Sequence, residues 1–361
     1  MAIRGKFLFA AILLISFWGC SHDEISDTLK EAGTPKANIT YIVSTNGIGD
    51  NGYNDNTLAG LFRFNEDTGI PIQIIQPASL DDARKAAKKW LKNHSTGDSA
   101  LLVLASSEYD SIAKELNANI PTENKILLFE ADSQKLPKSV STFNIDRYGA
   151  SYLAGAIVGK IPTTIFASSP GFHNVETSIE AFKKGFNAHK VVSDTPTVIY
   201  VSSSPKDETA GNNIIGAYTS VIDMLQSDLD NKNPPKVIFP LLGESSIGAL
   251  RAIEDFAFTL DLIIGMDTDK SGVSPRVPFS VVVDTRGVFL KYLNEWKAGK
   301  DWPRHRVFGM AEGATAIMWN ENFDEEQFWS PKKFDNTESF RARYDKYYDE
   351  ALQKEKKHAK K

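Results

Sequence analysis

Cysteine occurs once in the 361 residues, at position 20, which excludes a disulfide framework and any multi-cysteine metal or iron–sulfur site. Charge of one sign is also missing: 41 Lys and Arg face 46 Asp and Glu, a net charge of −5. A weakly acidic chain lacks the basic footprint of a nucleic-acid binder, so no nucleic-acid partner is expected. No G-x-S-x-G elbow and no H-E-x-x-H pair occurs. The histidines are scattered, and His94, His173, His189 and His305 stand in polar stretches and read as surface residues. No cofactor and no metal is expected. Beyond the first twenty residues no apolar run is long enough for a spanning helix, and no Pro/Gly/Ser-rich linker or short repeat divides the chain. What is present, 42% hydrophobic and 24% charged residues, is ordinary for a globular protein of two lobes.

Arg4 and Lys6 precede an apolar run from Phe7 to Trp18, which ends at Gly19-Cys20. Twelve residues span about 18 Å as a helix, short of the roughly 30 Å hydrocarbon core, so the run reads as an export signal. With the lone cysteine directly after it, the segment resembles a bacterial lipoprotein signal. That resemblance implies residues 1–19 as a signal peptide, Cys20 as the lipidated residue, residues 20–37 as a polar tether, and a place in the bacterial cell envelope. A plain signal with a chance cysteine is the other reading.

From residue 39 onward, short β-branched runs alternate with amphipathic stretches. Strands are predicted at 39–43, 70–75, 101–104, 126–129, 164–167, 197–201, 236–239, 262–266 and 279–283. Helices are predicted between them at 54–65, from Leu80, and at 151–158, 175–187, 212–225, 247–256 and 287–296, with a last one from Phe340. The first should bury Leu58, Leu61 and Phe62; the second Ala86, Ala87, Trp90 and Leu91; the last Phe340, Tyr344, Tyr347 and Leu352. Continuous apolar runs suit parallel strands covered on both faces, and the alternation predicts doubly wound α/β sheets.

The loop Gly47-Ile48-Gly49-Asp50-Asn51-Gly52 matches G-x-G-x-x-G after a strand. Asp50 would repel a pyrophosphate held there, so a nicotinamide site is disfavoured. A neutral ligand suits the loop better: Asp50 accepts from hydroxyl or ring N–H groups, Tyr53 stacks on a flat ring, and Asn54 both donates and accepts. A turn in which Asn54 caps the next helix remains the alternative. Glu130 and Asp132 could form an acid/base pair like a glycosidase's, but a strand-end loop fits them better.

This loop with Ala59-Gly60-Leu61, then Tyr152-Leu153-Ala154-Gly155-Ala156, Phe182-Lys183-Lys184-Gly185-Phe186, Val237-Ile238-Phe239-Pro240 leading to Gly243 and Gly248, and Ile264-Gly265-Met266-Asp267-Thr268-Asp269-Lys270, stand in one order. They resemble the basic membrane protein family of bacterial nucleoside-binding lipoproteins. The resemblance implies a type I periplasmic binding protein, with two Rossmann-like lobes joined by three crossing strands. It places lobe 1 at 38–145 plus 268–300, lobe 2 at 146–267 plus 301–335, and a C-terminal helical tail at 336–361.

By the same resemblance Asp50, Tyr53 and Asn54 take the family's loop positions, and Ser106 and Asp110 lie near a base-contacting aspartate. Asp267 and Asp269 flank a ribose-binding carboxylate, and Gly243 marks close backbone approach. The stretch Val201-Ser202-Ser203-Ser204-Pro205-Lys206-Asp207 lacks the family's second aromatic, and Phe279-Ser280-Val281-Val282-Val283-Asp284 lacks its lysine. Phe172 or Tyr200 could supply another face. The reading is a lipid-anchored solute-binding protein, not an enzyme, that takes a small polar ring-bearing ligand such as a nucleoside and passes it to an ABC-type permease. A ligand-free surface scaffold and an exported enzyme acting on nucleosides or glycans are the rivals.

Overall fold

The computed structural model describes residues 37–361 apart from 46, 50, 51, 117–119, 132–135, 257, 258, 329–337, 360 and 361. The signal and tether with Cys20, and the side chains of Asp50 and Asp132, therefore lie outside the described residues.

The first lobe carries β1 (Ile39–Ile42), β2 (Ile72–Ile75), β3 (Leu101–Leu104), β4 (Lys125–Phe129) and β5 (Val140–Ile145), with helices α1 (Tyr53–Thr68), α2 (Leu80–Asn93) and α3 (Asp110–Glu115) between them. The second begins with α4 (Tyr148–Val158) and runs through β6 (Thr163–Ala167), α5 (His173–His189), β7 (Thr197–Tyr200), α6 (Ile214–Asp230), β8 (Val237–Leu241), α7 (Ser246–Asp255), β9 (Leu262–Ile263), β10 (Gly265–Asp267) and β11 (Phe279–Val283). The chain then returns through α8 (Thr285–Lys297) and β12 (His305–Phe308), and crosses back to β13 (Thr315–Trp319) and α9 (Phe340–His358).

The first sheet is all parallel, in the order β12-β5-β4-β3-β1-β2. Its apolar runs alternate between two cores. Tyr41, Leu101, Val103, Leu127 and Phe129 pack on one face with Phe289 and Tyr292 of α8, while Ile42, Leu102, Leu104, Ile126 and Leu128 pack on the other with Trp90 of α2. Burial on both faces is why these strands read as unbroken hydrophobic runs. The second sheet is built the same way in the order β7-β6-β8-β9, and Ile264 links it to β10-β11-β13 by donating from its N–H to the Ile238 carbonyl at 2.9 Å. Among the described residues, β13 is the one antiparallel strand. The fold is two doubly wound α/β lobes with three crossings: at Asp146–Arg147, at Asp284, and between β12 and β13.

Several expectations need correction. Residues 279–283, placed in lobe 1 by the resemblance, pair with β10 and β13 in the three-stranded sheet joined to the second one. Residues 305–308, placed in lobe 2, form the edge of the first sheet against β5. On α1, Phe62 is 48% exposed and Phe64 takes the core position instead. His94 is buried rather than superficial, and its ring pairs with Asp98. Asn54 sits inside α1, whose first helical residue is Tyr53, so it does not cap the helix.

The C-terminal helix is more than a solvated tail. It packs Phe340, Tyr347 and Ala351 into the second core, and its last turn reaches the crossings. Glu355, 5% exposed, accepts from the backbone N–H of Met310 at 2.8 Å and of Gly149 at 3.1 Å, joining two crossing segments. Burial, reinforced by the nearby Asp146 carboxylate, pushes its pKa up from 4.5 to about 7. An acid with a raised folded pKa gains a proton on folding. Its stabilising contribution is complete below the unfolded value and is lost as pH rises through the folded one. Between about pH 5 and pH 7.5, wild type should therefore lose about 2 kcal/mol relative to Glu355→Gln. Urea melts of both proteins across that range check this, and parallel pH profiles would refute it.

Candidate functional site

The two sheets present the carboxyl ends of their strands to one cleft, where open α/β sheets bind ligands. A cavity of about 270 Å³ lies there, lined from the first lobe by Ser44, Tyr53, Asn54, Ala105, Ser106, Ser107 and Glu130, and from the second by Asn174, Gly211, Asn212, Gly243 and Glu244, with Arg147 on the crossing. Ligand sites generally measure about 300–1,000 Å³, so this one suits a single small molecule.

The loop after β1 is shaped by its own residues. Gly47 and Gly49 hold φ of +85° and +100°, which other residues rarely adopt. Asn54 donates from its side-chain amide to Ser44 Oγ at 3.2 Å and to the Gly47 carbonyl at 2.9 Å, drawing the loop down onto α1. Glu108 accepts from Thr45 N–H at 2.8 Å and from its hydroxyl at 2.6 Å, fixing the loop to the end of β3. These bonds orient Tyr53 at the helix start, on the cavity wall.

Behind Tyr53 lies a buried ion pair. Arg147 Nη2 stands 3.3 Å from Glu130 Oε1, with side chains only 12% and 10% exposed. The Tyr53 hydroxyl donates to the same oxygen at 3.4 Å. Burial, helped by the Glu130 charge, holds the Tyr53 hydroxyl well above its usual pKa, so it stays a neutral donor. Burial works against the Arg147 charge, but Glu130 and then Asp267 outweigh it and the guanidinium keeps its proton more tightly. The guanidinium also donates to the Ile145 carbonyl at 2.9 Å. Its partners are thus in place within the protein.

Of the residues expected from sequence, Tyr53, Asn54, Ser106 and Gly243 come together on the cavity wall. Asp267 ends β10 at φ +65°, within electrostatic reach of Arg147. Asp110 opens α3 and pairs with Lys114, and its other oxygen is shielded from solvent. Asp269 is exposed and accepts from Ser271 N–H at 2.9 Å, closing a turn. None of Asp110, Asp267 and Asp269 is among the residues that line this cavity. Phe172 and Tyr200 do not line it either, and the Tyr200 hydroxyl donates to Glu176 at 3.2 Å.

Sequence reasoning missed Arg147, Asn174 and Glu244, and set Glu130 aside. Glu130 carried a usable signal: it directly follows an unbroken apolar strand, at the end where α/β sheets bind ligands. Among the described residues, no group of three or more His, Cys, Asp or Glu is arranged to hold a metal ion. Among them, no helix is long and apolar enough to cross a membrane.

Solved structures share this fold. An ABC transporter solute-binding protein from Aeropyrum pernix K1 superposes with a TM-score of 0.65 at 15% identity, over 88% of this chain and 86% of that one. One from Conexibacter woesei gives 0.61 at 14% identity, over 89% and 97%. Another, from Agrobacterium vitis with bound allitol, gives 0.55 at 12% identity, over 78% and 95%. No curated protein sequence matches. The model of the Bmp family, described as ABC transporter substrate-binding protein PnrA-like, matches residues 37–304, most of the chain, and the protein belongs to that family.

Proposed function

We propose that this protein captures a small, uncharged, ring-bearing ligand of nucleoside type in the interlobe cleft and delivers it to an ABC-type permease. The observation that carries the reading is the meeting of Tyr53, Asn54, Ser106 and Gly243 around one small cavity, drawn from both lobes. Tyr53 offers a ring face with a fixed hydroxyl, and the serines and backbone of the strand ends supply hydrogen bonds. The resemblance to the family assigns the ligand hydroxyls to Asp50 and to Asp267, which stands outside the cavity lining but within electrostatic reach of Arg147, because one carboxylate can accept from two vicinal donors. Binding without turnover is part of this reading, as is an envelope location through a lipid on Cys20.

Charge narrows the ligand class. Glu130 and Glu244 line the cavity against a single guanidinium, Arg147, which Glu130 already engages. A phosphate brought there would meet carboxylates without an uncommitted cation, so nucleosides are favoured over nucleotides. With one aromatic on the wall, a cyclic polyol or sugar is the second reading.

Thermal melts with adenosine, inosine, uridine, D-ribose, D-glucose and adenosine monophosphate test both. A nucleoside at 100 times its dissociation constant should add about 2.7 kcal/mol of stability, and the monophosphate should add none. Tyr53→Ala should weaken nucleoside binding about 10- to 100-fold in calorimetry, the scale of one lost stacking face. Sugars binding where nucleosides do not selects the second reading. A response to the monophosphate alone, or chemical conversion of a bound probe, overturns the proposal.

A further inference from the structure

One side chain in the cleft touches the aromatic wall, the hinge and the opposite lobe at once. Glu130 directly follows β4 at φ +52°, a left-handed conformation that is rare for a residue with a side chain and that tends to mark functional positions. Its Oε1 accepts from the Tyr53 hydroxyl at 3.4 Å and from Arg147 Nη2 at 3.3 Å. Its Oε2 accepts from the Ile145 N–H at 3.2 Å and from Asn174 Nδ2 at 3.5 Å. Tyr53 and Ile145, the last residue of β5, belong to the first lobe, Arg147 to the first crossing, and Asn174 to the first turn of α5 in the second lobe.

We propose that Glu130 is a positioning residue that couples the ring of Tyr53 to closure of the lobes through Asn174. The inference rests on the cleft being the ligand site, but not on which ligand it takes. Charge-assisted hydrogen bonds are best near 2.7–2.9 Å, whereas all four donors here stand farther off. The carboxylate is thus shared among donors with slack in each contact. Ile145, at the end of β5, and Arg147, on the crossing, hold the carboxylate in place. Asn174 moves with the second lobe, so its contact is the one that lobe rotation makes or breaks. Tyr53 shares an oxygen with Arg147, so a ring packed on Tyr53 fixes the carboxylate in the orientation that meets Asn174. Ligand then favours closure because it supports a contact that only the closed form contains.

Two variants test the coupling on the full chain. Asn174→Ala removes only the contact from the second lobe and keeps the buried ion pair intact. Small-angle X-ray scattering without ligand should show a larger radius of gyration for Asn174→Ala than for wild type. The nucleoside or sugar that binds wild type best in the panel above should bind Asn174→Ala about tenfold more weakly, since fewer molecules are closed. Glu130→Gln should do the same, and combining it with Asn174→Ala should add little, because both remove one link. If the two changes add fully, or if Asn174→Ala scatters and binds as wild type does, the coupling is wrong. A wild type that binds no probe defeats the proposed ligand class, while the scattering comparison still decides the role of Glu130.

Discussion

Alanine at Gly185, or at Gly155 facing it, should destabilise the second lobe by about 3 kcal/mol, and valine at either should prevent folding. Helices α4 and α5 cross at these two residues. A Cβ at Gly155 would press into the Phe182 carbonyl, and one at Gly185 into the Tyr152 carbonyl, both well inside contact distance. Backbone atoms cannot swing aside as a flexible side chain can. The helices cannot part either, because every residue of α4 is buried between α5, α9 and the sheet. Gly272→Ala is the control, since a Cβ there meets nothing. Urea melts of the three alanine variants decide the matter: equal midpoints for Gly185→Ala and Gly272→Ala would show that the crossing is not close-packed. The expectation also reinterprets two stretches that resemble the family, around Gly155 and Gly185, as a packing requirement distant from ligand chemistry.

Arg343→Met should lower stability by about 3–5 kcal/mol, the range for leaving buried polar partners unpaired. Arg343, on α9, is 1% exposed. Its Nε donates to the carbonyls of Ala156 at 3.0 Å and Ile157 at 2.9 Å, and its Nη2 to those of Ala156 and His189, each at 2.7 Å. Helices α4 and α5 end at Val158 and His189, and the last carbonyls of a helix have no partner within it. One guanidinium therefore serves two helix ends, and its charge suits their negative poles. The remaining nitrogen stands 3.3 Å from Glu338, and the plane lies over Tyr347 at 5.3 Å. Methionine keeps the bulk of the stem but orphans the carbonyls. Lysine restores charge without the planar fork, so Arg343→Lys should recover only part of the loss. Denaturant midpoints with unchanged slope are the readout, and a methionine variant as stable as wild type would refute the account. Folded Arg343→Met should bind ligand normally, since Arg343 lies outside the cleft.

Much of the fold was legible because its signals are local. Strands such as Leu101–Leu104 and Ile126–Phe129 announced themselves as unbroken apolar runs, and the structure shows the two-sided burial that produces such runs. Two of the strands that escaped notice have mixed composition for a reason. Val140–Ile145 carries Ser, Thr and Asn between its apolar residues, and His305–Phe308 is an edge strand with little burial. The helix stripe of α1 was misread by two positions, Phe62 for Phe64, because both continue it at helical spacing, Phe62 four residues after Leu58 and Phe64 three after Leu61.

The cleft was half legible. Tyr53 and Asn54 directly follow the turn after β1, Ser106 and Gly243 stand just past the ends of β3 and β8, and the rule that sheets bind at their carboxyl ends gathers them. Arg147 and Asn174 stand in no such pattern. A polar residue beside a crossing has the same local sequence whether it faces water or a buried carboxylate from a strand seventeen positions earlier, as Arg147 does with Glu130.

The order of elements and the doubly wound class were therefore written in the sequence, because each follows from which side chains are apolar over a few consecutive residues, and the family was carried by the order of a few short motifs. Tertiary structure decided the assignment of β11 and β12 to lobes, the gathering of Glu130, Arg147 and Asn174, and the burial of Arg343. The reason is physical: apolar periodicity records that a face is covered, not what covers it, and charged groups enter an interior only when distant segments bring the partners that offset their desolvation.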